Sequence, residues 1–125
     1  SNFITQALKG GPLTIYGEGS QTRSFCYVDD LVEGLLKLMD SDYSGPVNIG
    51  NPEEFTILEL ANLVRSKVNT NLDLIKKDLP QDDPSRRKPD LTLAKNLLDW
   101  APQVNIEKGL DYTISYFKDL LLGSE

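Results

Sequence analysis

The chain of 125 residues has no histidine, one cysteine and one tryptophan. The lack of histidine excludes Ser-His-Asp and Cys-His catalysis and the usual zinc sites. A lone thiol, Cys26, cannot close an internal disulfide, which fits a reducing cytoplasm. No run of about 18 apolar residues exists, so no segment reads as a membrane-spanning helix. The N-terminus lacks the basic-then-apolar pattern of a signal peptide. Positive charge is scarce: 13 Lys and Arg stand against 19 Asp and Glu, a net charge of −6, and a nucleic-acid surface needs the opposite balance. A Walker loop and a GxGxxG fingerprint are also missing. The nearest glycine cluster, "GEGSQT" at 17–22, precedes an aromatic strand pattern and not a helix, so it does not read as a dinucleotide loop. Any chemistry must use Asp, Glu, Lys, Arg, Tyr or main-chain groups, or borrow groups from elsewhere.

What is present reads as one globular domain. The length suits a single domain, and 39% hydrophobic with 26% charged residues is an ordinary balance. "SNFITQALKGG" has apolar residues at helical spacing and a Gly10-Gly11 stop. It has no helix-start signal before residue 1, which predicts that the chain is cut from a longer one. "PLTIYG" and "RSFCYV" read as short strands around a polar turn. "DDLVEGLLKLMDS" reads as a helix capped by Asp30, with Glu33 completing a capping box and Leu31, Val32, Leu35, Leu36 and Met39 as its buried stripe. "SGPVNIGNP" reads as a turn, a short buried strand and a glycine exit. "FTILELANLVRSKV" is the clearest helix, with Thr56 and Glu59 as a capping box and Ile57, Leu60, Ala61, Val64 and Val68 as its apolar face. "LDLIKK" alternates as a strand, and "DLPQDDPSRRKPD" is an ordered loop or linker. "LTLAKNLLDW" is a helix ending at Trp100. "NIEKGLDYTISYFKDLLL" is the last helix, with Ile106, Leu110, Ile114, Phe117 and Leu121 on one side. Helices alternating with short strands predict a mixed α/β unit.

A few residues could carry chemistry. Arg23 follows a glycine-containing turn and opens a strand pattern, a place from which a guanidinium could grip two phosphate oxygens. Read locally, it fits better a surface arginine paired with a carboxylate, as isolated arginines usually are. Arg86, Arg87 and Lys88 concentrate positive charge in a proline-fixed loop, either to meet an anion or to balance Asp82, Asp83 and Asp90. Tyr16, beside Gly17, could lie against a planar ring or simply pack. Asn48, inside "VNIG", must find hydrogen-bond partners in neighbouring backbone or in a ligand. Asp29-Asp30 reads as helix capping, and Cys26 as packing.

Three segments in fixed order carry a resemblance: "PLTIYGEGSQTRSFCYVDDLVEGLLKLM", "GPVNIGNPEEFTILELA" and "DDPSRRKPDLTLAKNLLDWAP". Together they resemble the C-terminal half of the extended short-chain dehydrogenase/reductase family, the NAD-dependent nucleotide-sugar epimerases, dehydratases and decarboxylases. The resemblance covers essentially all of the chain and points to the branch that decarboxylates UDP-glucuronate. It implies an α/β fold: a small C-terminal substrate-binding lobe of helices and a few short strands, with the Rossmann lobe absent. That missing lobe would hold NAD and the Tyr-x-x-x-Lys pair. In the family reaction NAD takes a hydride from C4 of the sugar, the resulting β-keto acid loses carbon dioxide, and NADH returns the hydride to give UDP-xylose.

Carried over by position, the resemblance implies that Arg23 contacts the diphosphate. Thr14 and Tyr16 lie where a strand meets uracil and ribose, and Gln21 sits on the turn facing the same nucleotide. Asn48 lies near the phosphates or ribose, and Arg87 is the second phosphate arginine. No catalytic, cofactor-binding or metal-binding residue is expected in the chain itself, and alone it should be inactive. Two alternatives stay open: a lobe of a nucleotide-sugar epimerase or dTDP-glucose dehydratase, and a standalone interaction module. A lobe parted from its partner should expose an apolar patch and could self-associate; a standalone module should be polar there.

Overall fold

The computed structural model describes residues 2–78 and 89–122. Nine elements follow in order: α1 (Asn2–Leu8), β1 (Leu13–Tyr16), β2 (Thr22–Ser24), α2 (Val28–Met39), β3 (Glu54–Thr56), α3 (Ile57–Val68), β4 (Leu74–Lys77), α4 (Thr92–Leu98) and α5 (Ile106–Leu122). Where length suggests one domain, the chain divides into two compact units interleaved in sequence. The first is built from residues 1–22, 55–86 and 110–125, the second from 23–54 and 87–109. The chain passes between them within β2 and β3, which form a two-stranded pair.

The first unit centres on a parallel pair, β1 and β4, in the register Leu13↔Leu74 to Tyr16↔Lys77. Leu13 and Ile15 are fully buried, and the buried side chains of α1 (Ile4, Ala7), α3 (Ala61, Val64) and α5 (Leu110, Ile114) complete the core. The apolar faces expected for α3 and α5 are therefore the ones turned inward. The α3 capping box also forms: the Glu59 N–H donates to Thr56 Oγ1 at 3.0 Å and the Thr56 N–H to Glu59 Oε1 at 3.1 Å. A Lys67–Asp111 ion pair at 2.7 Å joins α3 to α5.

In the second unit, Ala94, Leu98 and Trp100 form a buried cluster against which Cys26, Leu38, Val47, Ile49 and Leu91 pack. Cys26 is thus a packing residue, as expected; burial first and the Asp30 carboxylate second push its thiol pKa up. Helix α4 stops at Leu98, two residues earlier than its sequence pattern predicts. Asp99 adopts a left-handed conformation (φ 51°), and the N–H groups of Asp99 and Trp100 fold back onto the carbonyls of Lys95 and Ala94. That turn drives Trp100 inward.

Three expectations are corrected in this unit. Asp30 does not cap α2: the N-cap is Tyr27, which makes no side-chain cap bond. Asp30 lies in the first turn and is buried, and its carboxylate accepts the main-chain N–H groups of Gln103 (3.0 Å) and Val104 (2.9 Å) while its carbonyl accepts Trp100 Nε1–H at 2.9 Å. The α2 stripe expected in the core is exposed. Leu31, Val32, Leu35, Leu36 and Met39 face outward, and the buried positions are Asp30 and Gly34. The "VNIG" stretch is not a strand. Pro46 has no N–H to give a ladder, yet the alternation survives: Val47 and Ile49 pack on the Trp100 cluster while Asn48 is exposed.

Candidate functional site

The candidate residues fall in both units. In the first unit, the β1–β4 ladder runs through Leu13 N–H to Asp73 O (2.9 Å) and Gly17 N–H to Lys77 O (2.6 Å). The peptide groups of a strand point alternately to its two edges. Those of Thr14 and Tyr16 therefore belong to the edge away from β4. Two glutamines sit on that edge. Gln6, from α1, accepts the Thr14 N–H at 3.1 Å and donates its Nε2–H to Thr14 Oγ1 at 3.3 Å. Gln21 donates Nε2–H to the Tyr16 carbonyl at 3.2 Å. The Tyr16 side chain is 47% exposed.

The turn from Gly17 to Gln21 needs its glycines. Gly17 (φ 66°) and Gly19 (φ 72°) are left-handed. A Cβ on Gly19 would meet Leu58 N at 3.2 Å. The turn carbonyls of Gly19 and Gln21 accept the first α3 N–H groups, those of Leu58 and Ile57, each at 3.0 Å. The α3 start is thereby satisfied from inside the unit and is no anion cradle. Gln21 is only 7% exposed. Its amide braces Tyr16, where sequence reasoning set it facing a nucleotide: the tight turn folds the side chain back under the strand.

In the second unit, Arg23 sits half-buried on β2. Asn48 lines a groove of about 420 Å³ together with Pro46, Asp90, Thr92, Leu93 and Asn96. Its amide donates to the Asp90 carbonyl at 3.4 Å. The Asp90 carboxylate accepts from the Thr92 N–H (3.0 Å) and hydroxyl (2.7 Å), which start α4 and hold the Asp90 carboxyl below its ordinary pKa, the main-chain bond first. Arg87 lies outside the described residues. Among the described residues, no cluster of His, Cys, Asp and Glu could hold a metal. Sequence reasoning missed Gln6 and the bracing roles of Gln21 and Asp30. The available signal for Gln6 was a long polar side chain bordering the apolar residues of α1.

The parallel pair, its α-helical layer and the glycine turn belong to a fold shared with solved sugar-nucleotide epimerases. The match to solved structures is close. UDP-glucose 4-epimerase from Thermotoga maritima, solved with UDP-glucose, superposes with a TM-score of 0.91 and 31% identity, over 95% of this chain and 38% of that one. UDP-glucuronic acid 4-epimerase from Bacillus cereus, in complex with UDP-glucuronic acid and NAD, gives 0.88 and 29%, over 95% and 39%. The profile of the NAD dependent epimerase/dehydratase family matches residues 1–50. The chain is 48% identical to UDP-glucuronic acid decarboxylase 2 of Arabidopsis thaliana over its whole length, and 57% identical to UDP-glucuronic acid decarboxylase 1 of Danio rerio over 94% of it. It spans about 28% of the length of these curated relatives.

Proposed function

We propose that this chain is the C-terminal, nucleotide-binding lobe of an NAD-dependent UDP-glucuronate decarboxylase, which makes UDP-xylose and carbon dioxide. The observation that carries the reading is the 48% identity to such a decarboxylase across all 125 residues. The geometry supports it in both units: an open strand edge beside an exposed tyrosine suits a nucleobase, and Arg23 suits a diphosphate. By the resemblance, Thr14 and Tyr16 serve the base and ribose, Arg23 and Arg87 the phosphates, and Asn48 the phosphates or ribose. Gln21 acts indirectly, by holding Tyr16.

The described residues do not fit NAD. The Gly17–Gly19 turn leads into β2 and not into a helix, and the first α3 donors are taken by turn carbonyls. NAD belongs to the remainder of the enzyme, and the chain alone is inactive. Its contribution is positional: binding energy from the unreacting UDP holds the sugar in place for chemistry supplied by the other lobe. That lobe is the partner we assign to the exposed α2 face, and the compartment is the cytoplasm.

Calorimetric titration of the chain with UDP, dTDP and UDP-glucuronate tests the reading. Saturable UDP binding is expected, weakened in Arg23→Ala by about 1.5–3 kcal/mol, the range for a charged hydrogen bond. Equal binding by wild type and variant would remove Arg23 from the site. Product analysis of the complete enzyme separates decarboxylase from 4-epimerase: the first releases UDP-xylose, the second a six-carbon isomer.

A further inference from the structure

We infer that Gln6 is a positioning residue that sets nucleobase selectivity, by clasping Thr14 so that the open edge of β1 offers one acceptor followed by one donor. The inference rests on the UDP reading above. The two Gln6 bonds fix each other's polarity. With Nε2–H on the Thr14 hydroxyl, Oε1 must face the Thr14 N–H; a flipped amide would set N–H against N–H. Gln21 covers the Tyr16 carbonyl in the same way. Among the described residues, the groups that the two glutamines leave on this edge are the Thr14 carbonyl and the Tyr16 N–H. Because Thr14 Oγ1 accepts from Gln6, its own hydroxyl proton remains available to a ligand acceptor.

An acceptor and a donor two residues apart on one strand edge match a flat ring carrying a donor beside an acceptor. The imide face of uracil is such a ring edge: N3–H donates to the Thr14 carbonyl and a ring carbonyl accepts from the Tyr16 N–H. Cytosine at the same placement turns its N3 lone pair on the Thr14 carbonyl, acceptor against acceptor. Loss of the Gln6 clasp would free the Thr14 N–H next to that carbonyl, giving the cytosine lone pair a donor and blurring the distinction. Gln6 acts at a distance from the phosphates, so it should change which base binds and not how the diphosphate is held.

The test compares UDP and CDP binding by calorimetry, with thermal melting as the fold control. The wild-type chain is expected to prefer UDP. In Gln6→Met that preference should shrink at least about fivefold, the effect of one hydrogen bond. Gln6→Glu keeps an acceptor for the Thr14 N–H and should retain the preference. Arg23→Ala should weaken both nucleotides alike and leave their ratio unchanged. A Gln6→Met chain that melts cooperatively and keeps the full preference would overturn the inference. Wild-type chain that binds UDP and CDP equally would also overturn it while leaving the UDP reading in place. Binding of neither nucleotide would sink both.

Discussion

Asp30 shows how much one side chain can hold. Its carboxylate takes two main-chain N–H groups from the 103–104 segment, and its own carbonyl takes the Trp100 indole, so one residue ties α2 to the chain that follows α4. Both main-chain donors meet the same oxygen, Oδ2, so any side chain without an acceptor there leaves two N–H groups without their partner. Asp30→Ala should lower unfolding stability by about 1–3 kcal/mol, as for buried donors left unsatisfied. Glu33→Gln, on the exposed side of the same helix, should stay within about 0.5 kcal/mol; urea denaturation of the two variants measures the contrast. Asp90 supports a prediction in pH. Its folded pKa is depressed by Thr92, so its stabilisation is complete above the unfolded value of about 3.9 and is lost only as pH falls through the lower folded value. A melting series carried from neutral pH into acid should therefore show Asp90→Asn lacking part of the acid-side loss seen in wild type. Identical acid limbs would refute the assignment.

The elements differ in how far the sequence reveals them, and the reason is physical. Helix α3 was legible because everything that makes it is local: a capping box and an apolar face of its own. Helix α2 was legible as a helix but not in its orientation. Amphipathic spacing says that one face is apolar; it does not say which neighbour covers that face. Here the opposite side is buried, because Gly34 lets Ile49 come close: a Cβ on Gly34 would lie 2.8 Å from Ile49 Cγ2 and 3.3 Å from Trp100 Cε2. Gly34→Ala should thus destabilise by about 1–3 kcal/mol through overpacking, although alanine favours helices. A thermal melt at or above the wild-type temperature would show that Ile49 yields freely. For the candidate site, the resemblance points to Thr14 and Tyr16, which lie on β1, and to Arg23, which lies on β2 beyond the turn. The Gln6 clasp joins residues eight apart through a helix–strand contact, and the inward fold of Gln21 depends on two left-handed glycines. Neither has a local sequence signature.

At the scale of the molecule, the α2 face is where a lobe and a standalone module should differ. Val28, Leu31, Val32, Leu35, Leu36 and Met39 recur at three- and four-residue steps along one side of the helix, and Met39 is 78% exposed. Scattered apolar residues on a surface need no explanation, but a contiguous stripe of six marks an interaction surface. The curated relatives are more than three times as long as this chain, which covers about 28% of them; under the proposed function, the remainder of such an enzyme would cover the stripe. Without such a cover, the chain should hide the stripe against a second copy. Sedimentation velocity across a concentration series should show association that the double variant Leu35→Glu/Leu36→Glu abolishes. Both side chains are about half exposed, so the variant should still melt cooperatively near the wild-type temperature. Loss of association with an unchanged melt would mean that the face is an interface and not part of either core. A wild-type chain that stays monomeric at every concentration would mean that water tolerates the stripe, and the standalone reading would then regain its ground.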